Sequence, residues 1–197
     1  MNAVAKWACI SVVGLLGACA SAPPPVHHVT LDDGRARTTR SSMVPSVAVV
    51  RANVPDVIDR PQLVLRSDGN HVALSEEYRW AEPLRREIPR VIANDLGEWL
   101  DSSRVAALPT DADGFNVDFK LTLDFQQLDA VVGQGVDVDV LWRIEPRSGP
   151  SFVGRSSLRQ PLEGSVVDTP ALVTAQRQVL RRVAAEIATE IAAYPKR

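Results

Sequence analysis

Residues 115–125 read Phe-Asn-Val-Asp-Phe-Lys-Leu-Thr-Leu-Asp-Phe, and in them apolar and polar side chains alternate without a break. Phe115, Val117, Phe119, Leu121, Leu123 and Phe125 share one parity, while Asn116, Asp118, Lys120, Thr122 and Asp124 share the other. Successive side chains of an extended chain point to opposite faces, so the pattern predicts a strand with one face buried and one wet. The phase slips at Gln126-Gln127, since Leu128 and Ala130 fall on the opposite parity, and this predicts a bulge. Gly133-Gln134-Gly135 then turns the chain. Val136, Val138, Val140, Trp142 and Ile144 resume the alternation against Asp137, Asp139, Arg143 and Glu145. Two long amphipathic strands joined by a glycine turn make an antiparallel hairpin. Residues 151–162 supply a third strand with a weaker pattern.

Helical spacing flanks this hairpin on both sides. Leu84, Ile88, Val91, Ile92, Leu96, Trp99 and Leu100 form one apolar stripe. Pro83 suits the first turn, whereas Pro89 is expected to kink the helix or mark its true start. Downstream, Thr169-Pro170 reads as a cap followed by proline at the first helical position. Leu172, Val179, Leu180, Val183, Ile187 and Ile191 line one face of the helix that follows, which ends before Pro195. Upstream, residues 26–31, 47–50, 62–66, 71–75 and 104–108 read as strands. The third and fourth of these make a hairpin about Ser67-Asp68-Gly69-Asn70. The expected fold is therefore α/β: one domain, a mixed sheet with a long antiparallel hairpin, and two long amphipathic helices packed on it, on one face or one on each.

The first helix carries its charges against its dipole. Arg85, Arg86 and Arg90 sit near its start, and Asp95, Glu98 and Asp101 near its end. Two readings stand side by side: a solvated, screened face, or charges that meet opposite charges on another subunit or partner. Glu82 and Arg86, four apart, are expected to pair. Tyr78 and Trp80, just before the helix, are candidates either for the core or for an interface.

The amino terminus has its own logic. Lys6 precedes an uncharged apolar run, and from Trp7 to Ala22 that run is 16 residues, short of the roughly 20 a spanning helix needs. Leu15-Leu16-Gly17-Ala18-Cys19 resembles the lipobox of bacterial lipoproteins. The resemblance implies cleavage before Cys19, a diacylglycerol on its sulfur and an acyl chain on the new amino group. Residues 1–18 are then a signal peptide, 19–25 the lipidated cysteine with a proline-rich spacer, and 26–197 the domain. Ala20 and Ser21 follow the cysteine without an aspartate, which by the sorting habit of such lipoproteins implies the outer membrane, periplasmic face. The chain carries 22 Lys+Arg against 24 Asp+Glu, a net −2, and loss of Lys6 makes it −3. That balance argues against nucleic acid and against gripping anionic lipid by charge, so attachment falls to the acyl chains.

Chemistry is sparse. His27 and His28 are neighbours on a predicted strand and point to opposite faces, so they make no two-ligand clamp, and His71 is remote in sequence. The mature chain keeps no free thiol for a zinc site. Asp137 and Asp139 share a strand face, yet it is the wet face, where carboxylates are ordinary. Gly154-Arg155-Ser156-Ser157 is not a nucleophile elbow, and no phosphate-binding glycine loop is present. The residues give an enzyme no positive support, and no cofactor or metal is expected.

Residues 54–66, Val-Pro-Asp-Val-Ile-Asp-Arg-Pro-Gln-Leu-Val-Leu-Arg, and 78–84, Tyr-Arg-Trp-Ala-Glu-Pro-Leu, stand in order behind the lipobox. Together they resemble the ABC-type transport auxiliary lipoproteins, the PqiC-like subunits of membrane-integrity transport systems. The resemblance implies a non-enzymatic outer-membrane lipoprotein in intermembrane (phospho)lipid transport, docking an MCE-domain protein and assembling into a ring-like homo-oligomer. Within it, Cys19 carries the anchor. Arg60, Pro61, Tyr78, Trp80, Arg85 and Arg86 are the candidates for a partner or subunit interface. The alternative from another class is a lipoprotein that regulates an envelope enzyme or binds the cell wall.

Overall fold

The computed structural model describes residues 25–35, 45–108, 116–162 and 168–194. In chain order the described elements are β1 (His27–Val29), β2 (Val47–Asn53), β3 (Gln62–Asp68), β4 (His71–Trp80), α1 (Leu84–Trp99), β5 (Val105–Ala107), β6 (Phe119–Val131), β7 (Gly135–Pro146), β8 (Phe152–Pro161) and α2 (Thr169–Ala193).

Strand β6 is the spine. Its whole length pairs antiparallel with β7, which pairs antiparallel with β8. Its other edge is shared: β2 runs parallel to residues 119–124, and β3 takes over at Ala130 and Val131. Beyond β2 lies β5, and beyond β3 lie β4 and then β1, both outer pairs with β2 and β4 being parallel. The sheet is mixed, as expected, and the bulge falls between Phe125 and Gln127 where the phase slip places it. The strand itself starts later and ends later than its cleanest alternation. Phe115 lies outside the described residues, and Asn116 to Asp118 are irregular because Asp118 is tied to Ser46: Asp118 N donates to the Ser46 carbonyl at 3.1 Å.

Both helices pack on the same face of the sheet and against each other, leaving the opposite face wet. Phe119, Leu121, Leu123, Phe125, Leu128 and Ala130 of β6 meet Val136, Val138, Val140, Trp142 and Ile144 of β7 under a lid of Leu84, Ile88, Val91, Ile92 and Leu96 from α1 and Leu172, Val179, Leu180, Val183, Ile187 and Ile191 from α2. The covered face reads apolar along β6 and β7 because burying it removes the most apolar area from water.

Several details differ from the sequence expectations. Trp99 is 53% exposed, because the stripe on α1 ends at Leu96 and Leu100 and the last turn swings Trp99 outward. Pro89 does not mark the start of α1; the helix begins at Leu84 behind Pro83, with Pro89 buried inside it. The cap of α2 is Asp168, whose side chain accepts from Ala171 N at 3.1 Å, while Thr169 is already helical. Glu82 pairs with Arg90 rather than Arg86, since Glu82 lies before the helix and helical spacing does not apply to it. Four of the reversed charges of α1 meet partners within the chain. Asp95 faces Arg177 and Glu98 faces Arg181 across the helix–helix seam, Arg85 holds Asp59, and Arg90 lies 3.8 Å from Asp32.

Candidate functional site

The amino-terminal segment is fastened to the domain at several points. Strand β1 pairs with the end of β4, and the ring of His27 stacks on Tyr78 with centroids 5.3 Å apart. Val29 O then accepts from Ala81 N at 2.8 Å. Leu31 leaves the strand and drops into the core at 1% exposure, so residues 26–31 are not one continuous strand. Around it closes Glu87, itself fully buried in the first turn of α1: one carboxylate oxygen accepts from Leu31 N at 2.7 Å, Asp32 N at 3.3 Å and the Thr30 hydroxyl. Its other oxygen is buried without a partner among the described residues. A helix start attracts a carboxylate, and a buried one persists when donors converge on it. Asp33 continues the seam, 3.7 Å from Arg177.

The expected site residues are partly brought together. Cys19 lies outside the described residues. Pro61 O accepts from Trp80 N at 2.7 Å, and Asp59, next to the exposed Arg60, holds Arg85 at 3.2 Å, so Arg60, Pro61, Trp80 and Arg85 gather where β3 enters the sheet and β4 leaves it. Trp80 is 5% exposed and belongs to the core, so its side chain can act on an interface only indirectly, by holding this junction. Arg86 is exposed and makes no ion pair among the described residues. Tyr78 sits beside β1. Glu87 and Leu31 were not legible as site residues; the available signal was an acidic side chain three residues after Leu84, on the buried stripe of a helix.

Described residues line two clefts. One, of about 550 Å³, is lined by Trp99, Gln160, Gln178, Arg181, Arg182 and Glu186, with the Arg181 guanidinium 5.7 Å from the Trp99 ring. The other, of about 380 Å³, opens at the fork where β6 passes from β2 to β3; Val57, Ile58, Arg66, Gln127, Leu128 and Asp129 line it. There Arg66 Nε donates to Asp129 at 2.8 Å, and a terminal guanidinium nitrogen donates to Gly69 O at 2.8 Å.

On the wet face, Asp137 and Asp139 are committed to Arg159 and Arg155 of β8. The hydrogen bonds from Arg155 hold the Asp139 carboxyl below its ordinary range, the wrong direction for a general acid near neutrality. Across the helix seam, burial pushes the Asp95 carboxyl above the usual aspartate range, and the Arg177 fork, with both N–H···O distances at 2.6 Å, pulls part of that back. Among the described residues no three His, Cys, Asp or Glu side chains cluster as metal ligands, and no helix is long and apolar enough to cross a membrane.

The fold has solved relatives. An uncharacterised protein of known crystal structure superposes with a TM-score of 0.63 at 18% identity, over 85% of this chain and 99% of that one. A Xanthomonas campestris protein superposes with a TM-score of 0.56 at 17% identity, over 87% of this chain and 98% of that one. At these identities the likeness speaks for the fold alone. No curated protein matches the sequence. A model of the ABC-type transport auxiliary lipoprotein component family matches residues 30–188, from the Leu31–Glu87 clasp into the last turns of α2. The chain belongs to the family of ABC-type transport auxiliary lipoprotein components.

Proposed function

We propose that this protein is a lipid-anchored outer-membrane subunit of an intermembrane (phospho)lipid transport system, holding the outer end of an MCE-domain conduit on the periplasmic side. The observation that carries the reading is the family match over residues 30–188, directly behind a cysteine in a lipobox-like setting. The family is a transport auxiliary component rather than an enzyme family, which fits a positional role: acyl chains fix the domain, and its surface captures the partner. The clasp of Glu87 and Leu31 supports the same reading, because a tether bears load only if its root is held by the core. Ring-like self-association belongs to this proposal too. It is supported by the outer strand β8, which among the described residues pairs with β7 alone and leaves Val153 65% exposed.

Cross-linking in intact envelopes followed by pull-down of this protein is expected to bring an MCE-domain protein with it. Recovery of a cell-wall synthase or another envelope enzyme instead would favour the regulator. Cys19→Ala is expected to leave an unlipidated protein that no longer fractionates with membranes; retention there would end the anchoring part of the reading.

A further inference from the structure

The outer part of the β3–β4 hairpin exposes more apolar surface than a free strand pair needs. Val72 and Leu74 are 41% and 42% exposed and, two apart on β4, share a face. Val72 stands opposite Arg66 in the pairing register, and Arg66 lines the fork cleft to which the 39% exposed Val57 also belongs. Single exposed apolar side chains are ordinary, whereas neighbouring ones mark a surface that something covers. On the outer edge of β4, β1 covers residues 78–80, and no strand covers residues 71–77 among the described residues.

The tether says what lies there. Strand β1 runs parallel to β4 with His27 opposite Tyr78, so the chain ahead of His27 arrives from the side of the hairpin turn. Eight peptide steps separate Cys19 from His27, a reach of at most about 26–29 Å. Seven steps along β4 lead from Tyr78 back to His71, about 23 Å. The acylated residue therefore extends barely past the hairpin turn even when its chain is straight, and any slack brings hairpin and bilayer together. Residues 62–80 carry Arg66 and Arg79 against Asp68, Glu76 and Glu77, so charge disfavours an anionic lipid surface and leaves a zwitterionic one acceptable.

We propose that the β3–β4 hairpin seats on the zwitterionic phospholipid surface that holds the anchor, with Val72 and Leu74 entering the boundary between headgroups and acyl chains. This rests on the anchored reading above. Such a seat fixes the orientation of the domain, which acyl chains on a loose tether leave free.

The test uses the mature lipidated protein in vesicles of phosphatidylcholine and phosphatidylethanolamine. Val72→Cys, Leu74→Cys and, on the far edge of the sheet, Val153→Cys each receive an environment-sensitive fluorophore. All three sites are exposed, so the fold is undisturbed, and circular dichroism checks it. The expected result is blue-shifted emission at positions 72 and 74 that brominated acyl chains quench, with no bromine quenching at 153. Water-like emission at 72 and 74, or equal quenching at 153, would overturn the proposal. A blue shift without bromine quenching would also overturn it, in favour of a second copy or another protein on the β4 edge. Mass analysis of Cys19 separates the two levels. Acylated protein with an unquenched hairpin sinks the seat alone, whereas an unmodified Cys19 removes the seat and the anchored reading together.

Discussion

Glu87 is a single side chain on which the seating of the amino-terminal segment depends. It is fully buried, and two backbone N–H groups and a hydroxyl converge on one of its oxygens. Glu87→Ala leaves the Leu31 amide without its acceptor, at about 1–3 kcal/mol while that group stays buried and unpaired, whereas Asp32 N keeps the Thr30 hydroxyl oxygen at 3.1 Å. Urea denaturation is expected to show a loss of that order, with faster hydrogen exchange at Leu31. Glu87→Gln, which keeps an acceptor oxygen, should lose less. Asp118 makes a second prediction, about pH. The Ser46 backbone N–H at 2.7 Å, then the Ser46 hydroxyl, Arg104 and Arg147, hold its carboxyl below the ordinary range against a smaller opposing effect of burial. A folded value below the unfolded one means the contribution is complete above about pH 4 and disappears as pH falls through the folded value. Stability measured between about pH 6 and pH 2 should therefore fall more steeply in the wild type than in Asp118→Asn.

At the scale of elements, the helix seam and the β7–β8 pair carry the sharper tests. Asp95 is 1% exposed and takes both terminal nitrogens of Arg177, whose side chain is 13% exposed. Removing one partner strands a buried charge: Arg177→Met is expected to cost about 3–5 kcal/mol. The double replacement Asp95→Leu with Arg177→Met should recover most of that loss in the same denaturation assay, because neither buried charge is left behind and Asp33, the other partner of Arg177, is partly exposed. In the sheet, Gly154 of β8 lies against the Trp142 ring so closely that a Cβ would sit 2.0 Å from the indole. Gly154→Ala must displace a side chain that donates to Ser156 Oγ at 3.2 Å, and overpacking of this kind costs about 1–3 kcal/mol. The near-ultraviolet circular dichroism of tryptophan should change with it.

For the molecule as a whole, the period-2 runs of β6 and β7, the slip at Gln126-Gln127 and the apolar stripes of α1 and α2 were readable, because each is a local consequence of what burial does to one face of a strand or helix. The reversed charges of α1 were visible as an oddity, while their partners were not: Arg177 and Arg181 are 82 and 83 residues away from theirs. Trp99 matched the stripe by spacing and lies outside it, since periodicity does not say where the covering element stops. The fold class and the bulged hairpin were set by the sequence alone, because both are written in neighbouring residues. That both helices share one face, that β6 is forked between β2 and β3, and that Leu31 and Glu87 lock the amino-terminal segment to α1 came only with the tertiary structure. Those depend on which distant surfaces meet, and long-range packing selects among arrangements that local pattern leaves equal in energy.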